Sequence, residues 1–414
     1  MPQTWRTTGA VDLPQSRRSP GVAALWGMVG VALLVRVALA AVSIGTNDAF
    51  TFVHFAREVR HVGVVRLYGV DGGFNHPPLI GWWAALLMRL IAPALPPDVG
   101  CPPQVAWLFC FLFKLPMIAG DGLAVWLLWL HWTPMLGRLK AAGVAAAFAW
   151  SLDAILLSGF HGNTDPIYVM NCLAAVYLME SRGAFFCAGL ALAAAINTKI
   201  IPVLLIFPLL LSCRRGQEAR ALLYGLAVGA IPFLPVVCRD FPSFYDNALA
   251  YNSMVDRWGI EFFLLLARDI PQISHSAGRA VFGYYWLGRY VLFALIAAWA
   301  VAARMRQQWD RYELAAVTMA LFAVFTPGFG VQYTAAAGLL MFAVRPRLAA
   351  AYALVAGAFL LKLYASRCDL SLPLTAGFNG SLTLTESLFG LPVWGLLVYF
   401  LIRVVFQRSN RRWR

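Results

Sequence analysis

The chain has 414 residues, 61% of them apolar and only 13% charged, with a formal net charge of +14. Soluble domains run near half apolar and a quarter charged, so this balance excludes a conventional soluble protein, a disordered chain and a nucleic-acid-binding module. The apolar residues fall in long blocks such as 21–45, 291–303 and 348–365, separated by short arginine-bearing joints. A helix needs about 20 apolar residues to cross about 30 Å of hydrocarbon, and the pattern predicts an all-α, polytopic transmembrane bundle.

In chain order the apolar blocks predict twelve spans, at 21–45, 105–131, 141–160, 166–181, 184–197, 200–213, 219–237, 288–304, 313–327, 331–344, 348–366 and 388–404. The basic residues orient them, because cytoplasmic joints of membrane proteins are enriched in Lys and Arg. Placing the clusters at Arg6/Arg17/Arg18, Arg138/Lys140, Arg182, Arg214/Arg215/Arg220, Arg304/Arg306/Arg311, Arg345/Arg347 and the tail from Arg403 inside collects 19 of the 33 basic residues, and with them the whole net charge. Both termini are then cytoplasmic and the number of crossings is even. The apolar segment 78–95 would make a thirteenth crossing, so parity predicts a helix lying on or dipping into the outer face, with Arg89 snorkelling to water. The first block, longer than a signal-peptide core, is expected to be an uncleaved anchor.

This topology leaves the polar motifs on the extracytoplasmic side, in a long first loop (46–104) with juxtamembrane helices, a short loop at 161–166 and a third at 238–287. Asn47-Asp48 follows the first span directly. A carboxylate against an apolar wall is partly desolvated, which would raise its pKa toward that of a useful general base; the competing reading is a helix cap. His76 precedes Pro77-Pro78 and could donate to a sugar hydroxyl or serve as a turn residue. Asn163 and Asp165 share the second loop, where Asp165 either binds hydroxyls or ends the loop before Pro166. Lys199 and Arg257 are cations near membrane depth, with Arg289 a further one, and Gln332 and Tyr333 sit in a Gly-rich turn. His54 and His161 read as helix-face or packing residues. Asp121 and Asp153 lie within spans, where each either functions or pairs with Lys114 or Arg36 across the bundle. The short pair of blocks between Arg182 and Arg214, broken at Asn197-Thr198-Lys199, predicts a helix pair that turns early and opens a cavity. The seven cysteines show no metal spacing and read as buried small hydrophobes.

An acidic residue just after the first span, amphipathic helices and a His-Pro-Pro turn, followed by Gly162-Asn163-Thr164-Asp165-Pro166, Asn197-Thr198-Lys199 and Gly330-Val331-Gln332-Tyr333, resembles the GT-C superfamily of integral membrane glycosyltransferases. The order and spacing resemble the bacterial polyprenol-phosphate-mannose-dependent mannosyltransferases. The resemblance covers roughly 46–335 and implies a catalytic membrane module over 21–335, C-terminal transmembrane helices over 336–404, and cytoplasmic tails at 1–20 and 405–414. It implies that Asp48 is the catalytic base, that Asn47, His76, Asn163, Asp165, Lys199, Arg257, Gln332 and Tyr333 bind substrate, that the donor is a polyprenyl-phosphate sugar, most simply mannose, and that the acceptor is a glycan or glycolipid. No cofactor is expected. Some GT-C enzymes hold a divalent cation; here Asp48, His76 and Asp165 are the groups that would serve, but no DxD or HExxH spacing is present and no metal is predicted. The alternatives are an aminosugar, pentose or protein glycosyltransferase on the same fold, or a flippase for lipid-linked glycans. A transporter should show inverted repeats with midplane charges, and none is visible.

Overall fold

The computed structural model describes residues 20–96, 99–251, 253, 256–377 and 381–406. The basic residues Arg6, Arg17 and Arg18, most of the N-terminal tail and the tail from 407 onward lie outside the described residues. The chain is a bundle of helices. Five are long and apolar enough to cross a membrane: Pro20–Ala41, Pro103–Leu136, Ser274–Arg306, Pro346–Arg367 and Leu384–Val405. Two bent pairs, Arg138–Ala149 with Leu152–His161 and Gly216–Gly229 with Ile231–Leu249, raise the number to seven if each is one span. Twelve predicted blocks therefore reduce to five to seven candidate spans, and the other blocks form shorter apolar helices. Phe185–Thr198, for example, has 14 residues, a length of about 21 Å at 1.5 Å per residue. Helix Pro78–Ile91 is equally short.

Polar side chains tie the apolar helices together. Arg36 Nε donates to Asp121 Oδ2 at 2.9 Å, Arg36 also donates to the Ala149 carbonyl at 2.6 Å, and Ser158 donates to the same Asp121 oxygen at 2.7 Å. Of the two partners foreseen for the intramembrane acids, Arg36 thus takes Asp121. Lys114 instead donates to the Ser43 carbonyl at 2.9 Å and to its hydroxyl at 3.0 Å. At one end of the bundle Glu180, Ser212, Arg214, Arg304, Asp310 and Arg311 line a common depression, so two of the basic joints converge there. Helices Arg311–Phe325 and Leu384–Val405 start on reciprocal capping boxes, Asp310 with Glu313 and Thr383 with Glu386.

The bundle carries one feature that the all-helical reading omits. Ser43–Thr46, assigned from composition to the end of the first span, is a strand that pairs in parallel with Leu374–Ala376, itself antiparallel to Cys368–Asp369. Apolar periodicity does not separate a buried four-residue strand from the end of a buried helix. Gly45 makes the strand possible: its φ of +113° is accessible to glycine, and a Cβ there would lie 2.3 Å from the Phe160 carbonyl oxygen. The sheet fastens the C-terminal part of the chain to the strand that leads into Asp48.

Candidate active site

Three local structures deliver the central groups. The strand Ser43–Thr46 runs directly into helix Asn47–Val62, which places Asp48 in the helix's first turn. Opposite it, the helix that starts at Leu152 widens into a π turn over Leu157–His161 and ends at Gly162, left-handed at φ +81°. Such widened turns re-aim side chains and recur at functional sites. The Thr46 hydroxyl donates to the His161 carbonyl at 2.9 Å and holds the two segments in register. The third structure is the break at Lys199, extended at φ −153° and ψ 144°, between helix Phe185–Thr198 and the 3-10 turn Ile201–Leu205. The predicted early-turning helix pair is present, and residues 199–201, 203 and 204 line the cavity it helps to form.

Asp48 Oδ2 accepts from Asn163 Nδ2 at 2.7 Å and from His161 Nε2 at 3.1 Å. The other imidazole nitrogen, Nδ1, lies 2.7 Å from the Tyr364 hydroxyl. Burial opposes ionisation of Asp48, but the hydrogen bonds from His161 and Asn163 and the charges of His161 and Lys199 outweigh it. The carboxyl is held well below the ordinary carboxylate range. The sequence reading expected desolvation to raise it; three donors and cations brought in from distant parts of the chain reverse the sign.

Lys199 Nζ donates to both oxygens of Asp165, at 2.8 and 3.0 Å, and Asp165 is fully buried. The ammonium also lies 5.0 Å from the centre of the Tyr333 ring. Lys199 and Tyr333 border a cavity of about 390 Å³ lined also by Asp48, Asn75, His76, Asn163, Tyr251, Arg289 and Gln332 among others. Arg289 donates to the Ala250 carbonyl at 3.2 Å, while its buried Nε has no hydrogen-bond partner among the described residues. His76 sits against the rings of Phe52 and Phe55, 4.8 and 6.0 Å away. Burial, reinforced by Lys199 and only partly offset by Asp48, pushes its imidazole down to about 3. His76 is neutral at physiological pH, able to donate from one nitrogen and accept at the other.

Of the residues singled out from sequence, Asp48, His76, Asn163, Lys199, Gln332 and Tyr333 border one cavity. Asp165 stands behind Lys199 as its counter-ion. Asn47 begins the helix, its carbonyl accepting from Thr51 at 3.0 Å. Arg257 turns to Asp269, 3.6 Å away, in the neighbourhood of Asp256 and Glu261. His161, expected from the sequence to be a packing residue, lies instead on Asp48. The available signal was its position next to Gly162-Asn163. Tyr364 had no signal at all, being one apolar-block tyrosine among many. Among the described residues no group of three or more His, Cys, Asp and Glu side chains could hold a metal ion.

Residues 101–327, rather more than half of the chain, match the model of glycosyltransferase family 87. The chain belongs to this family. It is accordingly a GT-C-type membrane glycosyltransferase. No curated protein matches it. The matched segment contains His161, Asn163, Asp165, Lys199 and Arg289; Asp48 and His76 precede it, and Gln332, Tyr333 and Tyr364 follow it.

Proposed function

We propose that this family 87 enzyme transfers a hexose, in the simplest case mannose, from a polyprenyl-phosphate carrier to a hydroxyl of a glycan or glycolipid on the extracytoplasmic face, with inversion. The observation that carries this reading is a single carboxylate and two cations around one cavity. Asp48, its Oδ2 occupied by His161 and Asn163, offers Oδ1 to the acceptor hydroxyl. As that oxygen attacks the anomeric carbon its proton passes to Asp48, and the bond from the anomeric carbon to the phosphate oxygen breaks on the opposite face. The lipid phosphate departs as an anion and needs no proton, so one base suffices, unlike the carboxylate pair of glycoside hydrolysis.

Charge develops on the phosphate as it leaves, and preorganised cations stabilise it most effectively in a water-poor site. Lys199, with two of its donors held by Asp165, has a third for a phosphate oxygen, and the unpartnered Arg289 Nε is a second donor. Ile200, Ile201, Leu204, Leu292 and Phe293 form an apolar wall of the cavity, where Val203 and Phe293 are 42% and 50% exposed; this is the side on which an isoprenoid chain would enter from the bilayer. His76, Gln332 and Tyr333 remain to bind sugar hydroxyls. Basic joints gathered at one end favour the cytoplasmic assignment for that end.

Purified protein supplied with a short-chain polyprenyl-phosphate mannose and a panel of acceptor glycans tests the reading. The expected product has the anomeric configuration opposite to that of the donor. Retention of configuration would require a second nucleophile and would refute the mechanism.

A further inference from the structure

His161 has its two ring nitrogens engaged by groups from opposite ends of the chain: Nε2 faces Asp48 Oδ2 at 3.1 Å and Nδ1 faces the Tyr364 hydroxyl at 2.7 Å. Both ring-bearing residues are buried, His161 at 2% exposure and Tyr364 at 3%. A phenol hydroxyl both donates and accepts. Towards a neutral imidazole Tyr364 donates to Nδ1, which leaves the ring proton on Nε2. Towards an imidazolium it accepts from Nδ1–H, and Nε2 again carries a proton. In either state an N–H points at Asp48.

We infer that Tyr364 is a positioning residue of the transfer reaction, acting through His161 to keep an N–H donor on Asp48 Oδ2 and so leave Oδ1 for the acceptor hydroxyl. The inference rests on the proposed role of Asp48 as base and adds a residue from beyond the family-matched segment, which ends at 327.

The fold supplies the rigidity that such a role needs. Tyr364 lies in the last turn of helix Pro346–Arg367, and the chain continues directly into strand Cys368–Asp369. That strand pairs with Leu374–Ala376, which pairs with Ser43–Thr46 immediately before Asp48. The base and the tyrosine therefore stand at the ends of two elements joined by one sheet, with the imidazole between them. Packing of the Tyr364 ring on Phe160 at 5.0 Å fixes its direction. Positioning groups act on the rate through the orientation of the reacting group rather than through added contacts with substrate. The other groups around this pair are Lys199, His76, Tyr251 and Tyr333 on the cavity side of Asp48 and Asp165 beside His161; none of them touches Nδ1 in place of Tyr364 among the described hydrogen bonds.

Tyr364→Phe keeps the ring and removes the hydroxyl. With polyprenyl-phosphate mannose and an accepted glycan, it is expected to lower kcat at least tenfold, to leave the donor KM within about twofold, and to move the acid limb of the pH–kcat profile upward. His161→Gln, which retains an amide N–H that can reach Asp48, is expected to keep more activity than His161→Ala, and Tyr364→Phe should cost His161→Gln almost nothing further. Thermal unfolding of each variant reports the purely structural contribution. Unchanged kcat and an unchanged acid limb in Tyr364→Phe, with Asp48→Asn inactive, would overturn the inference while leaving Asp48 as base. Equal activity of His161→Gln and His161→Ala at equal stability would do the same. An active Asp48→Asn would overturn both.

Discussion

Lys199 and Asp165 meet in the interior with Nζ 2.8 Å from one carboxylate oxygen and 3.0 Å from the other. The pair puts a cation on the cavity wall without leaving an uncompensated charge inside the bundle. Removing one partner strands the other, at a cost of about 3–5 kcal/mol. Lys199→Met and Asp165→Asn should each lower stability by that order in detergent, and the double variant should regain most of it. Turnover should not return with stability, because the cation that faces the leaving phosphate is gone. Thermal unfolding and a transfer assay on the three variants measure the two effects separately; recovery of turnover in the double variant would remove Lys199 from the mechanism.

Asn163 bears on the same carboxylate as His161, 2.7 Å from Asp48 Oδ2. A carboxyl held below its ordinary value stays ionised as the pH falls, and what its interactions contribute is lost only as the pH drops through the folded-state value. Asn163→Ala takes away one donor, so Asp48 should protonate at higher pH than in the native enzyme. The expected result is an acid limb of kcat/KM displaced upward by about tenfold in proton concentration or more, the scale of one hydrogen bond to a charged group. A pH profile of the variant that overlays the native one would show that Asn163 does not tune the base.

Legibility in the sequence differed sharply between the two ends of this site. Asp48 and Lys199 announce themselves because charge is rare in an apolar chain and each sits at the edge of a block. The turn at 197–201 was readable from block length alone, since the stretch between Arg182 and Arg214 is short for two full passes. The span count was not readable in this way. Composition counts every apolar block equally, whereas the structure breaks several at Pro and Gly into pieces of 14 residues or fewer. His161 and Tyr364 were missed for a different reason. Their meaning lies in contacts across 113 and 203 residues of chain, and nothing in local spacing encodes those.

Glu261 offers a pH effect on stability that is independent of the cavity chemistry. Its carboxylate accepts from the backbone N–H of Gly328 at 3.1 Å and of Asp256 at 3.3 Å. Burial outweighs these bonds and pushes its carboxyl up from 4.5 to about 7. A raised folded-state value means that the folded protein holds the proton more tightly than the unfolded chain. The associated stability is fully present below pH 4.5 and is lost as the pH rises through about 7. Thermal unfolding from pH 5 to pH 8 should therefore show a decline in the native protein that is smaller in Glu261→Gln. Parallel curves for the two would mean that Glu261 is not the group responsible.

Chelation is expected to leave transfer intact. Asp165 is committed to Lys199, and one oxygen of Asp48 accepts from His161 and Asn163, so a single carboxylate oxygen is left facing the cavity and the carboxylates do not form a ligand set. Lys199 and Arg289 can supply the positive charge that a divalent ion would otherwise bring to the phosphate. Turnover in excess chelator should match turnover without it; complete loss that added metal restores would contradict this division of roles.

The most direct test of the whole account is the turnover of Asp48→Asn beside the native enzyme, with polyprenyl-phosphate mannose as donor. Asparagine keeps the size of the side chain and can still accept from His161, but it cannot take the acceptor's proton. The expected result is retained donor binding with turnover reduced by two or more orders of magnitude, within the about 10²–10⁴-fold contribution of a positioned base. Turnover equal to the native rate would contradict it, and with it the assignment of Asp48 as the base.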